Sequence, residues 1–182
     1  YAKGPSALIR PDGVEVKEMD EEMMEETLRW YAETAASAKK IGFDSIFLHF
    51  GHGWLPAQFL SPHYNHRTDI YGGSIENRSR FPLRILETVR KAVGNNYPID
   101  IRISAYEWIE DSISFEDVMY FLKKAEPYID TVQISSGIDK IFEAIDKLEE
   151  QRFFSIVDAD QMKLDILKQP VPVRDHNSKF EN

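Results

Sequence analysis

Apolar residues along this chain switch repeatedly between a helical and a strand rhythm. Met24, Leu28, Tyr31, Ala35 and Ala38 recur at steps of three and four, which predicts a helix from about Asp20 to Lys40. Asp20 can cap it, Glu21, Glu22, Glu25 and Glu26 suit its positive end, Lys39 and Lys40 suit the other, and Gly42 stops it. Ser45–His49 is then short and mostly apolar, as expected of a strand in a parallel sheet covered on both faces. Pro82, Ile85, Leu86, Val89 and Val93 restore the helical spacing in a helix from about Ile75 to Val93, ended by Gly94. Ile99–Ser104 reads as a second strand, and Ser114 with Asp117 as a cap opening the helix Phe115–Ala125. Thr131–Ser135 is a third strand, and Ile138, Ile141, Phe142, Ile145 and Leu148 mark another helix. Residues 158–168 read as helical and Val171–Val173 as a fourth strand edge. Residues 1–18 read as extended or looping, broken by Pro5, Pro11 and Gly13.

Strands alternating with helices at this pitch predict βα units and a parallel sheet. No G-x-G-x-x-G or G-x-x-x-x-G-K follows any strand, so a dinucleotide fold or a phosphate loop has little support. The expected fold is therefore α/β, a partial (β/α)8 TIM barrel of about three to four βα units, forming one partial domain over residues 1–182. A whole barrel takes about 250 residues. The chain is expected to be a fragment or a half-barrel, associating with a missing barrel portion or with itself, because open strand edges promote pairing.

Composition narrows the function. With 42% hydrophobic residues the chain can build a core, and its net charge of -9 argues against a nucleic-acid partner. No apolar run is long enough to span a bilayer, and the N-terminus lacks the apolar stretch of a signal peptide, so a cytoplasmic location is expected. The first residue is not Met, so processing or truncation is expected. The absence of cysteine removes disulfides, thiolate metal sites and cysteine nucleophiles.

The densest chemistry lies between His49 and Phe81. His49 and His52 stand at the end of a predicted strand, separated by Phe50 and Gly51 and followed by Gly53. In parallel α/β folds that end of a strand is where ligands bind. Two neutral imidazoles there can each donate one hydrogen bond to a carbonyl oxygen, as an oxyanion hole does. The alternative is a pair of polar residues bonded to loop backbone. His63 and His66 repeat the spacing and, with Asp69, raise a metal-dependent hydrolase as a second reading. No H-E-x-x-H helix or cysteine supports that metal site. Arg102 sits inside an apolar strand, so it must reach a ligand or pair in the core, with Asp100 or Asp130. The polar run Arg67–Arg78 reads as a brace for the histidine loop, with Ser74 or Asn77 capping the following helix. Trp54, Tyr106 and Trp108 can line a pocket for a flat ligand.

At these residues the sequence resembles the old yellow enzyme family of flavin-dependent NAD(P)H oxidoreductases. The resemblance is carried by Gly4-Pro5-Ser6-Ala7, Gly42-Phe43-Asp44, His49-Phe50-Gly51-His52-Gly53, Gln58-Phe59-Leu60-Ser61-Pro62, Asn65, the Arg67–Phe81 block and Ile101-Arg102-Ile103-Ser104. It covers about residues 4–137, with 19–137 its clear part and 138–182 assigned by spacing alone. It implies a (β/α)8 barrel holding FMN, with NAD(P)H as reductant and a small-molecule α,β-unsaturated carbonyl compound as acceptor. By position His49 and His52 match the pair that binds the acceptor's oxygen. Arg102 matches the arginine beside the flavin pyrimidine ring. Trp54 stands where many members carry a proton-donating tyrosine, so water, Tyr64 or Tyr106 would have to supply that proton. The resemblance places the chain in the central barrel, after the third strand, without the strands that carry much of the flavin surface and the phosphate site. A non-catalytic barrel remnant is the third reading.

Overall fold

The computed structural model describes residues 2–10, 13–107 and 111–135. The sequence-predicted helix around Ile138–Leu148, the elements after it, and Trp108 lie outside the described residues.

The N-terminal segment, expected to be extended, pairs into a small sheet. β1 (Ala2–Gly4) runs parallel to β3 (Glu15–Glu18), and β2 (Leu8–Ile9) runs antiparallel to β3 on its other side. α1 (Glu21–Ile41) follows. Asp20 caps it by accepting from Met23 N at 2.8 Å, and Gly42, at φ 104°, ends it in the left-handed conformation that glycine adopts without strain.

The second sheet consists of β4 (Ile46–Phe50), β5 (Ile99–Ser104) and β6 (Thr131–Ser135). All its pairings are parallel and the order is β4-β5-β6. Between the strands lie α2 (Leu55–Leu60), α3 (Ile75–Arg78), α4 (Arg80–Val93) and α5 (Phe115–Ala125), with a 3-10 turn at Glu126–Tyr128. The predicted helix Ile75–Val93 is thus divided at Ser79, and α2 was not visible in the spacing.

Register decides which side chains meet. Ile46, Leu48 and Phe50 align with Ile99, Ile101 and Ile103 and join one hydrophobic core with α1, α4 and α5. Phe50 stacks on Phe121 at 5.9 Å between ring centroids, and Phe59 packs on Phe81 at 4.5 Å. The alternate positions, Phe47 and His49, Asp100 and Arg102, Thr131 and Gln133, belong to the opposite face. Strands laid down in chain order, with the helices packed on one face, form a wall of a (β/α) barrel rather than a doubly wound sheet. Arg90 locks this wall: it donates to the carbonyls of Tyr97 at 2.6 Å and Tyr128 at 3.1 Å and pairs with Asp130 at 2.7 Å.

β4 has a partner on one side only among the described strands. Beside that open edge Trp30 is 52% exposed, Phe47 48% and Phe43 62%. A groove of about 290 Å³ runs between α1 and β4, lined by Trp30, Tyr31, Ala38 and Phe47 among others.

Candidate active site

The histidine loop is built by the way β4 ends. Phe50 enters the core, which turns His49 to the opposite, polar face. A Cβ on Gly51 would lie 2.7 Å from Ser104 Oγ and 3.0 Å from Ser104 N, so this position must lack a side chain for the loop to close over the end of β5. That closeness lets His52 N donate to Ser104 Oγ at 3.1 Å. His52 itself is held at φ 53°, a left-handed conformation that is uncommon for a residue with a Cβ. Trp54 N then donates to Gly51 O at 3.2 Å, closing the turn into α2.

The two imidazoles meet edge to face, with centroids 5.0 Å apart and planes at 87°. Gly51 N donates to His49 Nδ1 at 3.3 Å, which leaves the proton of the neutral ring on Nε2. His52 Nε2 lies 2.6 Å from Ser135 Oγ, and Arg102 Nη2 donates to the same oxygen at 3.3 Å. His49 is the register partner of Arg102. Partial burial, then Arg102 and His49, hold the His52 pKa below the ordinary imidazole value, which favours a neutral ring at pH 7.

Arg102 therefore stands on the same rim as both histidines. The sequence left open a core ion pair with Asp100 or Asp130. Instead, Asp130 pairs with Arg90, and Asp100 accepts from Gln133 Nε2 at 2.8 Å. Among the described residues Arg102 has no carboxylate partner. Trp54 is 62% exposed, with its ring 6.1 Å from His49. Tyr106 is half-buried against the core at the end of β5. His63 and His66 do not join the pair: among the described residues no three His, Asp or Glu side chains gather at metal-binding spacing.

The model of the NADH:flavin oxidoreductase / NADH oxidase family matches residues 2–173. The chain belongs to that family. The NADH oxidase of Thermoanaerobacter brockii is 38% identical over 142 residues, covering 78% of this chain and 22% of that protein. The cinnamate reductase of Clostridium sporogenes is 40% identical over 100 residues, 54% of this chain and 15% of that protein. Among solved structures, Old Yellow Enzyme from Pichia sp. AKU4542 superposes with a TM-score of 0.66 at 31% identity, covering 77% of this chain and 42% of that chain. The chain thus spans less than half the length of these relatives.

The Arg67–Arg78 block is expected to brace the histidine loop; its bonds among the described residues instead tie together the N-terminal sheet and the segments around α2 and α5. Arg67 donates to Pro5 O at 3.0 Å and Met19 O at 2.8 Å and chelates Asp69, tying the N-terminal sheet to the loop after α2. Asn65 donates to Phe59 O at 2.7 Å and Tyr71 O at 2.8 Å. Ser74 holds the capping position of α3, but its side chain makes no capping bond there. Ser104 and Ser135 are the contributors that spacing did not single out. Their signal was a polar residue closing each apolar strand at the ligand-bearing end.

Gly51→Ala is expected to cost about 1–3 kcal/mol, since an overpacked methyl must displace the end of β5. It should also move the His52 ring resonances. Thermal unfolding and the His52 NMR signals check this; an unmoved His52 would show that the loop does not depend on that close approach.

Proposed function

We propose that this chain is the acceptor-binding part of an FMN-dependent oxidoreductase that moves hydride from NADH or NADPH to an α,β-unsaturated carbonyl compound. The observation that carries the reading is the placement of His49, His52 and Arg102 on one rim of a parallel sheet. The donor set fits the cofactor. Arg102 is half-buried, lacks a carboxylate among the described residues, and has spare N–H groups beyond its 3.3 Å bond to a neutral hydroxyl. A cation so placed suits a ring that gains negative charge on reduction.

Held beside Arg102, FMN would supply the hydride-carrying chemistry between NAD(P)H and the electron-poor carbon of the acceptor. His49 and His52 donate to the acceptor's carbonyl oxygen, where negative charge grows as the carbon accepts hydride. Neutral rings do this without a proton changing hands. Trp54 and Tyr106 form the walls of the acceptor pocket. The indole N–H of Trp54 is a donor with no accessible acid function, so the α-carbon proton comes from water or a tyrosine. Tyr64 is close to the loop: its hydroxyl lies 3.7 Å from where a Cβ on Gly53 would stand. The relative named cinnamate reductase supports an unsaturated carboxylate as acceptor.

The open β4 edge and the apolar groove beside α1 suit a further strand and helix of the same barrel, and such an addition would bury Phe47 and Trp30. No described helix is long and apolar enough to cross a membrane. A cytoplasmic setting, where NAD(P)H is available, completes the proposal.

The test is anaerobic titration of the intact protein with FMN, then NADPH, then an enone. Saturable FMN binding, bleaching by NADPH and recolouring by the enone are expected. Arg102→Met should make the flavin midpoint potential more negative by on the order of 30–60 mV, a tenfold to hundredfold loss for a two-electron couple. Failure of the intact protein to bind FMN would favour a non-catalytic remnant.

A further inference from the structure

β5 and β6 end on two serines that are register partners, Ser104 opposite Ser135. Both are buried, and each grips a different part of His52. Ser104 Oγ accepts the backbone N–H at 3.1 Å, and Ser135 Oγ sits 2.6 Å from ring Nε2. Ser135 Oγ also accepts from Arg102 Nη2 at 3.3 Å. A serine hydroxyl has one proton and two lone pairs, whereas a guanidinium has protons alone to give. Arg102 therefore occupies a lone pair of Ser135. A cation donating into that oxygen also polarises its O–H bond and strengthens it as a donor. Among the described residues the acceptor within reach of that proton is His52 Nε2. A neutral imidazole that accepts at Nε2 carries its own proton on Nδ1.

We propose that Ser135 is a positioning residue that fixes His52 in the Nδ1–H tautomer, so that Nδ1 is the nitrogen donating to a bound oxygen. His49 is set the opposite way, because Gly51 N occupies its Nδ1 at 3.3 Å and leaves Nε2 as the donor. The edge-to-face pair then offers one N–H from each kind of ring nitrogen. Two like tautomers would leave one ring with a lone pair facing an electron-rich oxygen. The serine acts through the ring's proton, 83 positions away in sequence, and does not itself touch the acceptor. The inference rests on the proposed function in one respect, that the freed N–H serves a ligand oxygen.

The experiment is long-range nitrogen–proton correlation NMR of the full chain at neutral pH without cofactor, with His52 assigned from the signal lost in His52→Asn. The native chain is expected to show His52 predominantly as Nδ1–H. Ser135→Ala should shift the population so that the Nε2–H form dominates, and Ser135→Thr, which keeps the hydroxyl, should restore the native pattern. Circular dichroism verifies that each variant is folded. A native His52 protonated on Nε2, or a folded Ser135→Ala with an unchanged tautomer, overturns the proposal. If Ser135→Ala does not fold, the native tautomer and the threonine variant decide alone. Because the readout needs no flavin, an Nδ1–H His52 in a protein that fails to bind FMN would sink the proposed activity and leave this inference standing.

Discussion

Arg78→Met is expected to cost about 3–5 kcal/mol, the usual loss when one partner of a buried ion pair is removed. Arg78 is 5% exposed and satisfies three elements at once. Its Nε donates to Gly73 O at 2.9 Å, Nη1 donates to Leu60 O at the end of α2, and Nη2 pairs with Asp117 on α5 at 2.7 Å. Methionine fills much of the volume but leaves two carbonyls and a carboxylate without those donors. Against a total stability of about 5–15 kcal/mol, that is about a fifth or more. Denaturant unfolding of the full chain measures it. Arg78→Lys should recover only part of the loss, because one ammonium cannot span three acceptors in the planar fork geometry. A loss under about 1 kcal/mol would place Arg78 in the class of exposed pairs such as Arg84 with Glu21, where little is expected.

The elements legible in the sequence are those whose signal is local. Asp20 and Gly42 bounded α1 because a cap bond and a left-handed terminus each involve neighbours a few positions away. Ile99, Ile101 and Ile103 announced a covered strand because the helices pack against that face. Spacing marks the N-terminal sheet as no more than extended. Its strands are two to four residues long, and Leu8 and Ile9 are exposed, so no alternation marks them. α2 is six residues long and carries Pro56 in its first turn, too short for any period to show. The break at Ser79 interrupts a periodicity that continues on both sides.

The site divides along the same line. His49, His52 and Arg102 drew attention because polar and charged groups at a strand's end conflict with an apolar surround. That conflict is visible in the sequence itself. Ser104 and Ser135 raised no such conflict, since a small hydroxyl at a strand terminus is unremarkable whichever way it faces. Their importance comes from register, which sets Ser104 against Ser135 and brings β6 to a loop more than eighty positions earlier. Whether Arg102 pairs in the core was likewise decided by where other side chains reach, Arg90 to Asp130 and Gln133 to Asp100, contacts that spacing does not encode.

Replacing both histidines, His49→Ala with His52→Ala, is expected to remove most acceptor reduction while sparing FMN binding. Loss of one oxyanion-hole donor costs about 10²–10³ in kcat. The pair converges on one oxygen, so the double variant should lose less than the product of the two single losses but more than either. The loss should fall on kcat/KM for the acceptor, because the donated bonds strengthen as charge develops on oxygen. Reduction of the bound flavin by NAD(P)H involves no such oxygen, and its rate should stay within severalfold of the native value. The two half-reactions, followed separately by stopped-flow absorbance, make the distinction. A double variant equally slow in both would mean that the histidines support the flavin or the fold rather than the acceptor. Arg102→Met is expected to show the complementary pattern, with the first half-reaction impaired and the His52 pKa raised once the neighbouring cation is gone.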